Sequence, residues 1–216
     1  MPKKEYRSER IVVSFDRARC IHARYCVQGL PEVFDSSERP WVRPDRANAG
    51  RVAEVVMRCP TGALQFDRTD GGAAEPIPQE NTIAVSVDGP LYVRGDVQVE
   101  SPLGETLLED TRVALCRCGS SRNKPFCDNS HKQTNFKDKG VLGDNRLLTA
   151  PTSDGRRLRI TPAVNGPLLL RGDVEVRSAD GKTVYHGSRT VLCRCGSSAN
   201  KPFCDGSHVE MDWRED

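Results

Sequence analysis

The alternation of apolar and polar positions along the chain predicts short strands, with little helix. Residues 10–15 carry Ile11, Val12, Val13 and Phe15 and read as a strand. Residues 47–57 place Val52, Val55 and Val56 at helical spacing and form the best helix candidate; residues 64–66 could return as a short strand. The pattern then lapses. Residues 69–78 are small, polar and rich in Pro and Gly, as a linker is. Beyond them, residues 82–87 alternate, with Ile83, Val85 and Val87 on one face. Strands are predicted at 91–94, 97–100 and 112–115, separated by turns at Asp88-Gly89-Pro90 and Gly95-Asp96. The same succession returns at 168–171, 174–177 and 190–192.

That return is a sequence repeat. Residues 89–131 align without gaps on 166–208, and 27 of the 43 positions are identical, too many for chance likeness of strand patterns. Two copies are too few for a solenoid but suit a pair that buries a shared face, as a homodimer does. The chain therefore reads as α+β, with a first module at 1–70, a linker at 71–80, and repeats at 81–147 and 148–216. Modules of about 70 residues are small for a hydrophobic core alone, so a metal staple fits their size.

Composition narrows the chemistry. At 37% hydrophobic and 29% charged the chain is too apolar for wholesale disorder. No run of eighteen apolar residues occurs, and the charged N-terminus lacks the apolar stretch of a secretory signal; a soluble, intracellular, cytoplasmic protein without a membrane partner is expected. The net charge of +2 is spread evenly over the chain, which argues against nucleic acid. Nine cysteines cannot all pair as disulfides, and thiols in this number point to metal.

The cysteines come in threes. Cys116, Cys118 and Cys127 precede His131, and Cys193, Cys195 and Cys204 precede His208, giving C-x-C-x8-C-x3-H twice. Three thiolates and an imidazole can hold a structural zinc or a [2Fe–2S] cluster with two ligands per iron. The single residue between the first two cysteines is shorter than zinc knuckles use; a C-x-C pair suits one iron and the more distant Cys/His pair the other. In each copy the cysteines sit in a loop after a strand. Asp128 or Ser130, and Asp205 or Ser207, could cap a short helix near the histidine.

Cys204-Asp205-Gly206-Ser207-His208 spells the signature of the CDGSH iron–sulfur (mitoNEET-like) family, and the loop C-x-C-G-S-S-x-x-K-P-F-C-D-G-S-H resembles that family's cluster-binding loop in both copies. The resemblance implies a [2Fe–2S] cluster on Cys116, Cys118, Cys127 and His131, a second on Cys193, Cys195, Cys204 and His208, and an intramolecular pseudo-dimer beneath a β-cap. The first copy departs from it at Asn129, where Gly is usual; Asn tolerates left-handed backbone angles, so the loop is expected to survive. Arg117, Lys124, Arg194 and Lys201 are either cations beside the cluster or solvated surface charges. Pro125 and Pro202 either fix the backbone entering the third cysteine or are plain turn prolines.

In the first module Cys20, Cys26 and Cys59 precede Val27-Gln28-Gly29-Leu30-Pro31 and Pro60-Thr61-Gly62, and over residues 10–67 the pattern resembles the [3Fe–4S] or divergent [4Fe–4S] ferredoxin family, with Ala23 where its second cysteine would stand. Three thiolates are the count for [3Fe–4S]; a fourth ligand for [4Fe–4S] would have to be His22, which is displaced by one position and reads better as structural. His186 lies in a turn-like stretch outside the loops. No G-x-S-x-G or Walker loop occurs, so no enzyme is expected. The expected function is electron transfer to an unidentified redox partner. The alternatives are cluster storage, transfer to an apo-acceptor or redox and pH sensing, and a zinc-stapled interaction module.

Overall fold

The computed structural model describes residues 3–147 and 156–215. The chain divides into two compact units, Met1–Pro76 and Ile77–Asp216, so the division falls within the stretch read as a linker. The boundary expected between the repeats, at 147/148, abuts residues 148–155, which lie outside the described residues.

In the first unit strands β1 (Lys4–Arg7), β2 (Ile11–Phe15) and β3 (Leu64–Arg68) form an antiparallel sheet in that order. Helices α1 (Tyr25–Gly29) and α2 (Ala49–Met57) lie between β2 and β3 in the chain. Asn48 starts α2 by accepting the Gly50 N–H at 2.8 Å, which satisfies an otherwise orphaned helix donor. Val52, Val55 and Val56 bury with Ile11, Val13, Leu64 and Phe66, as their spacing predicts.

The second unit holds both repeats in one six-stranded sheet: β4 (Thr82–Val85), β5 (Leu91–Glu100), β6 (Thr106–Leu115), β7 (Leu158–Pro162), β8 (Leu168–Arg177) and β9 (Val184–Leu192). Helices α3 (Ser130–Gln133) and α4 (Ser207–Glu210) are single turns. Each repeat builds an antiparallel ribbon, β5 with β6 and β8 with β9. The short strands are shared. β4 runs antiparallel to β5 and parallel to β8; β7 runs antiparallel to β8 and parallel to β5. One core results, in which Ile83, Val93 and Val97 of the first repeat pack with Ile160, Leu170 and Val176 of the second.

This sharing corrects two expectations. Gly95-Asp96 and its counterpart Gly172-Asp173 are not turns between strands; they are bulges inside the ten-residue strands β5 and β8, where the register shifts. The strand runs on because a new partner awaits it: β5 leaves β4 at Arg94 and meets β7 at Val97. His186 is likewise not in a turn but in β9, exposed and opposite Glu175. Strands β1 and β7, of four and five residues, were not read from the sequence; β1 is mostly exposed, and β7 is completed by a parallel pairing with the distant β5.

Asn81 laces the repeats at this crossing. Its Nδ2 donates to Arg156 O at 2.6 Å and Asp173 O at 2.8 Å, while its Oδ1 accepts Asp96 N–H at 2.9 Å. Asn81→Ala leaves three partly buried backbone groups without these bonds and is expected to destabilise the second unit by about 2 kcal/mol, read as a lowered denaturant midpoint.

Candidate metal centres

The third cysteine of each repeat is eleven residues from the first, yet the backbone zips the two together. Cys116 N–H donates to Pro125 O at 2.9 Å and Cys127 N–H to Ala114 O at 2.9 Å; Cys193 N–H donates to Pro202 O at 2.8 Å and Cys204 N–H to Val191 O at 2.9 Å. The loop between is folded by two side chains. Ser121 donates to Phe126 O at 2.7 Å and accepts from Asn123 N–H, as Ser198 does with Phe203 O at 2.6 Å and Asn200 N–H. Asp128 accepts the N–H groups of Arg122 and Ser130, both at 2.9 Å, and Asp205 those of Ala199 and Ser207. Asp128 and Asp205 therefore tie the loop to the helix start. The capping position itself belongs to Asn129 and Gly206, in left-handed conformation with φ of 75° and 98°. Asn129 adopts the angle expected of it.

The eight residues read as ligands come together in pairs. Cys116 Sγ and Cys118 Sγ are 3.6 Å apart, and Cys127 Sγ and His131 Nδ1 are 3.6 Å apart. In the second repeat Cys193 and Cys195 stand at 3.7 Å, and Cys204 and His208 at 3.5 Å. Two thiolates on one tetrahedral metal stand about 3.8 Å apart, and a thiolate and an imidazole about 3.5 Å. The donor sets thus fit two metals per site, each with two protein ligands. Among the described residues, no three His, Cys, Asp or Glu side chains are placed to hold a single ion.

In each C-x-C pair the contact between the two sulfurs lowers one thiol, Cys116 in the first repeat and Cys195 in the second. The partners Cys118 and Cys193 are pushed up by the same contact. Backbone N–H groups of Ser121, Cys118 and Gly119 point at the Cys116 sulfur, as those of Ser197 and Ser198 point at Cys195. Burial pushes Cys127 up to about 11 and lowers His131, so this half of the site is electrically neutral without metal.

Arg117 and Arg194, expected either beside the cluster or in solvent, are not in solvent, and the charge of Arg117 acts on His131. Both are buried and anchor the preceding β-turn. Arg117 donates to Gly89 O at 2.8 Å, to Ser86 O and to Asp138 at 2.6 Å, with Phe136 against its face. Arg194 donates to Gly166 O at 2.8 Å, Ala163 O at 2.7 Å and Glu215 at 2.7 Å, with Trp213 in the place of Phe136. The structural repeat thus runs past His131 and His208 to residues 138 and 215, where the chemistry is kept although the residues change. The one signal was an acid at the same offset from each arginine. Lys201 donates to Ser198 O at 2.5 Å; Pro125 and Pro202 are buried.

Gly119 and Gly196, which sequence reasoning passed over, bring the two ligand loops into backbone contact. A Cβ on Gly119 would lie 2.4 Å from Cys195 O, and one on Gly196 would lie 2.7 Å from Cys118 O.

In the first unit Cys20 and Cys26 are half-buried, and burial raises both thiols, Cys26 to about 11. Charge on Cys59 raises both further, and charge on Cys20 also raises Cys26, so the three sulfurs share one neighbourhood. Cys59 Sγ lies 3.5 Å from Thr61 Oγ1. His22 is exposed with φ of 53°; its backbone N–H, rather than its ring, bonds the Cys20 sulfur.

Comparison with known proteins agrees with this division. Residues 6–69 match the family described as "Divergent 4Fe-4S mono-cluster", and residues 88–132 and 165–209 each match "Iron-binding zinc finger CDGSH type". The chain belongs to both families. It is an iron–sulfur protein with one divergent mono-cluster domain and two CDGSH domains in tandem. "Uncharacterized protein YjdI" of Escherichia coli, in strains K12 and O157:H7, is 38% identical over 61 residues, 28% of this chain and 80% of the relative. No solved structure matches the chain.

Two outcomes are expected. Gly196→Ala forces a Cβ onto Cys118 O at a positive φ of 89°, costs about 1–3 kcal/mol and lowers iron per chain, whereas Gly206→Asn, which reproduces Asn129 in open space, retains it. In metal-free protein, alkylation monitored by mass spectrometry should label the C-x-C pairs before Cys127 at pH 7. That labelling should fall as pH drops through about 6, because the thiolate is the nucleophile.

Proposed function

We propose that the chain is a one-electron carrier with two Cys3His [2Fe–2S] centres and a [3Fe–4S] centre. Cys116 with Cys118 and Cys127 with His131 would each hold one iron of the first, and Cys193 with Cys195 and Cys204 with His208 those of the second. The observation that carries this is the pairing of donors at 3.5–3.7 Å, two by two, which suits two tetrahedral metals rather than one zinc. The shared strands β4 and β7 support reading the second unit as an intramolecular pseudo-dimer, its sheet serving as the β-cap. Cys20, Cys26 and Cys59 would hold the third centre; a [4Fe–4S] cluster there needs a fourth ligand, for which His22 is the candidate. A bound cluster supplies one-electron chemistry. The chain's residues supply thiolates, N–H donors that offset negative charge, and a shell that keeps water from the inner ligands. The partner would be a redox protein, in the cytoplasm, and no catalytic step is assigned.

The second reading is cluster storage, transfer to an apo-acceptor or sensing. One observation favours it: His208 is only half-buried, within reach of water and protons. Iron and sulfide analysis of anaerobically purified protein should give about seven irons and eight sulfides per chain. About eight irons would favour [4Fe–4S] in the first unit, about four would leave its cysteines empty, and zinc would refute the reading. Reversible reduction without loss of absorbance supports the carrier; appearance of a cluster in added apo-ferredoxin supports the donor. If the histidines ligate, the two repeat centres should bleach faster at pH 5.5 than at pH 8, since a released imidazole is trapped as its cation below about 6.5. His131→Cys/His208→Cys should slow that loss.

A further inference from the structure

The two repeat centres have nearly identical ligand loops but opposite electrical surroundings. From residue 122 to 139 the first repeat carries Arg122, Lys124, Lys132, Lys137 and Lys139 against Asp128 and Asp138, a net +3. The matching residues 199–216 carry Lys201 and Arg214 against Asp205, Glu210, Asp212, Glu215 and Asp216, a net −3. Some of these charges are neutralised where they stand: Arg117 by Asp138, Lys137 by Asp88, Arg194 by Glu215 and Arg214 by Asp212. What distinguishes the sites lies close to the ligands. Arg122 corresponds to Ala199, Lys132 to Val209 and Gln133 to Glu210. Lys132 and Val209 each follow directly on the histidine, in α3 and α4.

We infer that this inversion makes the centres unequal, the first-repeat centre being the easier to reduce, so that an electron delivered to the pair resides on Cys116/Cys118/Cys127/His131 rather than on its twin. The inference rests on the reading of both sites as [2Fe–2S] centres. Reduction by one electron from a low-potential donor adds one negative charge to a centre, with no bond made or broken in the protein. A neighbouring cation stabilises that added charge and a neighbouring anion opposes it. Cys127 and Cys204 each feel a neighbouring carboxylate, Asp128 or Asp205, and a C-x-C thiol; Lys132 acts in addition on Cys127 and His131, reinforced at His131 by Arg117 and opposed by Asp88. Partial burial of the ligands leaves these charges less screened than a pair in open water. The contact between the loops, Gly119 on Cys195 O and Gly196 on Cys118 O, places the two centres on one continuous backbone junction, so the preference can be expressed within a single chain.

The experiment is a redox titration of the full-length, cluster-loaded protein with dithionite, followed by visible absorbance and electron paramagnetic resonance. Two one-electron waves from the repeats are expected, with the first-repeat centre favoured by about tenfold when the pair holds one electron. Lys132→Val should move the upper wave down and leave the lower one in place. Val209→Lys should move the lower wave up and leave the upper one; both positions are exposed, so folding is not at stake. Added salt should narrow the gap, as it would not if ligand geometry set it. A third wave that neither variant moves belongs to the first unit. Coincident repeat waves in the unaltered protein, or a shift of the upper wave by Val209→Lys, would overturn the inference alone. Zinc without sulfide in the same sample would overturn it together with the reading of the sites.

Discussion

Everything in the second unit depends on the double pairing of two short strands. β4 has four residues and β7 five, and each is hydrogen-bonded to both long strands, β5 and β8. Neither ribbon alone could cover the apolar face formed by Leu91, Val93, Val97 and Val99, or by Leu168, Leu170, Val174 and Val176. Sharing β4 and β7 joins those faces into one core and satisfies the backbone of both long strands past their bulges. Cys116 and Cys193 emerge where β6 and β9 end, at the pairs Leu115 with Leu91 and Leu192 with Leu168.

From that end point the ligand loops are built by local bonds. The strand that delivers the first cysteine also receives the third, through the Cys127-to-Ala114 and Cys204-to-Val191 hydrogen bonds. Ser121, Ser198, Asp128 and Asp205 hold the intervening backbone, and the aromatic tails seal the buried arginines over the turns. A buried guanidinium is costly unless every donor finds an acceptor. Here two turn carbonyls and a carboxylate receive each one, which lets an arginine be buried between the two cysteines of each C-x-C pair.

The charge of the sites is divided in a way that suits metal uptake. The sulfur contact in each C-x-C pair lowers one thiol and so readies it to bind a cation, whereas in the first repeat burial raises Cys127 and lowers His131, favouring their neutral forms. The first unit offers only raised thiols, Cys20 and Cys26, in a shared neighbourhood with Cys59. Its three cysteines come from before α1 (Cys20), from within α1 (Cys26) and from just after α2 (Cys59), and α2 is held by the packing of Val52, Val55 and Val56 in the core.

The division into a mono-cluster module and two repeats, the α2 helix and most strands were legible in the sequence, as was the grouping of three cysteines and a histidine that each repeat brings together in pairs. They rest on spacing and alternation, which are local properties of the chain. Asn129 was legible too, because a left-handed position admits few residues. The bulges at Gly95 and Gly172 were misread as turns, since a strand's continuation depends on a partner strand that the sequence does not mark. The parallel pairing of β7 with β5 joins segments about sixty residues apart, and the burial of Arg117 and Arg194 could not be read because their acceptors at Ser86, Gly89, Ala163 and Gly166 are neighbours only after folding. The contact of Gly119 with Cys195 was beyond reach as well. Spacing determines which atoms can bind a metal together; only tertiary structure decides which loops meet, because hydrogen bonds between distant segments depend on chain closure and shared burial rather than on the order of residues.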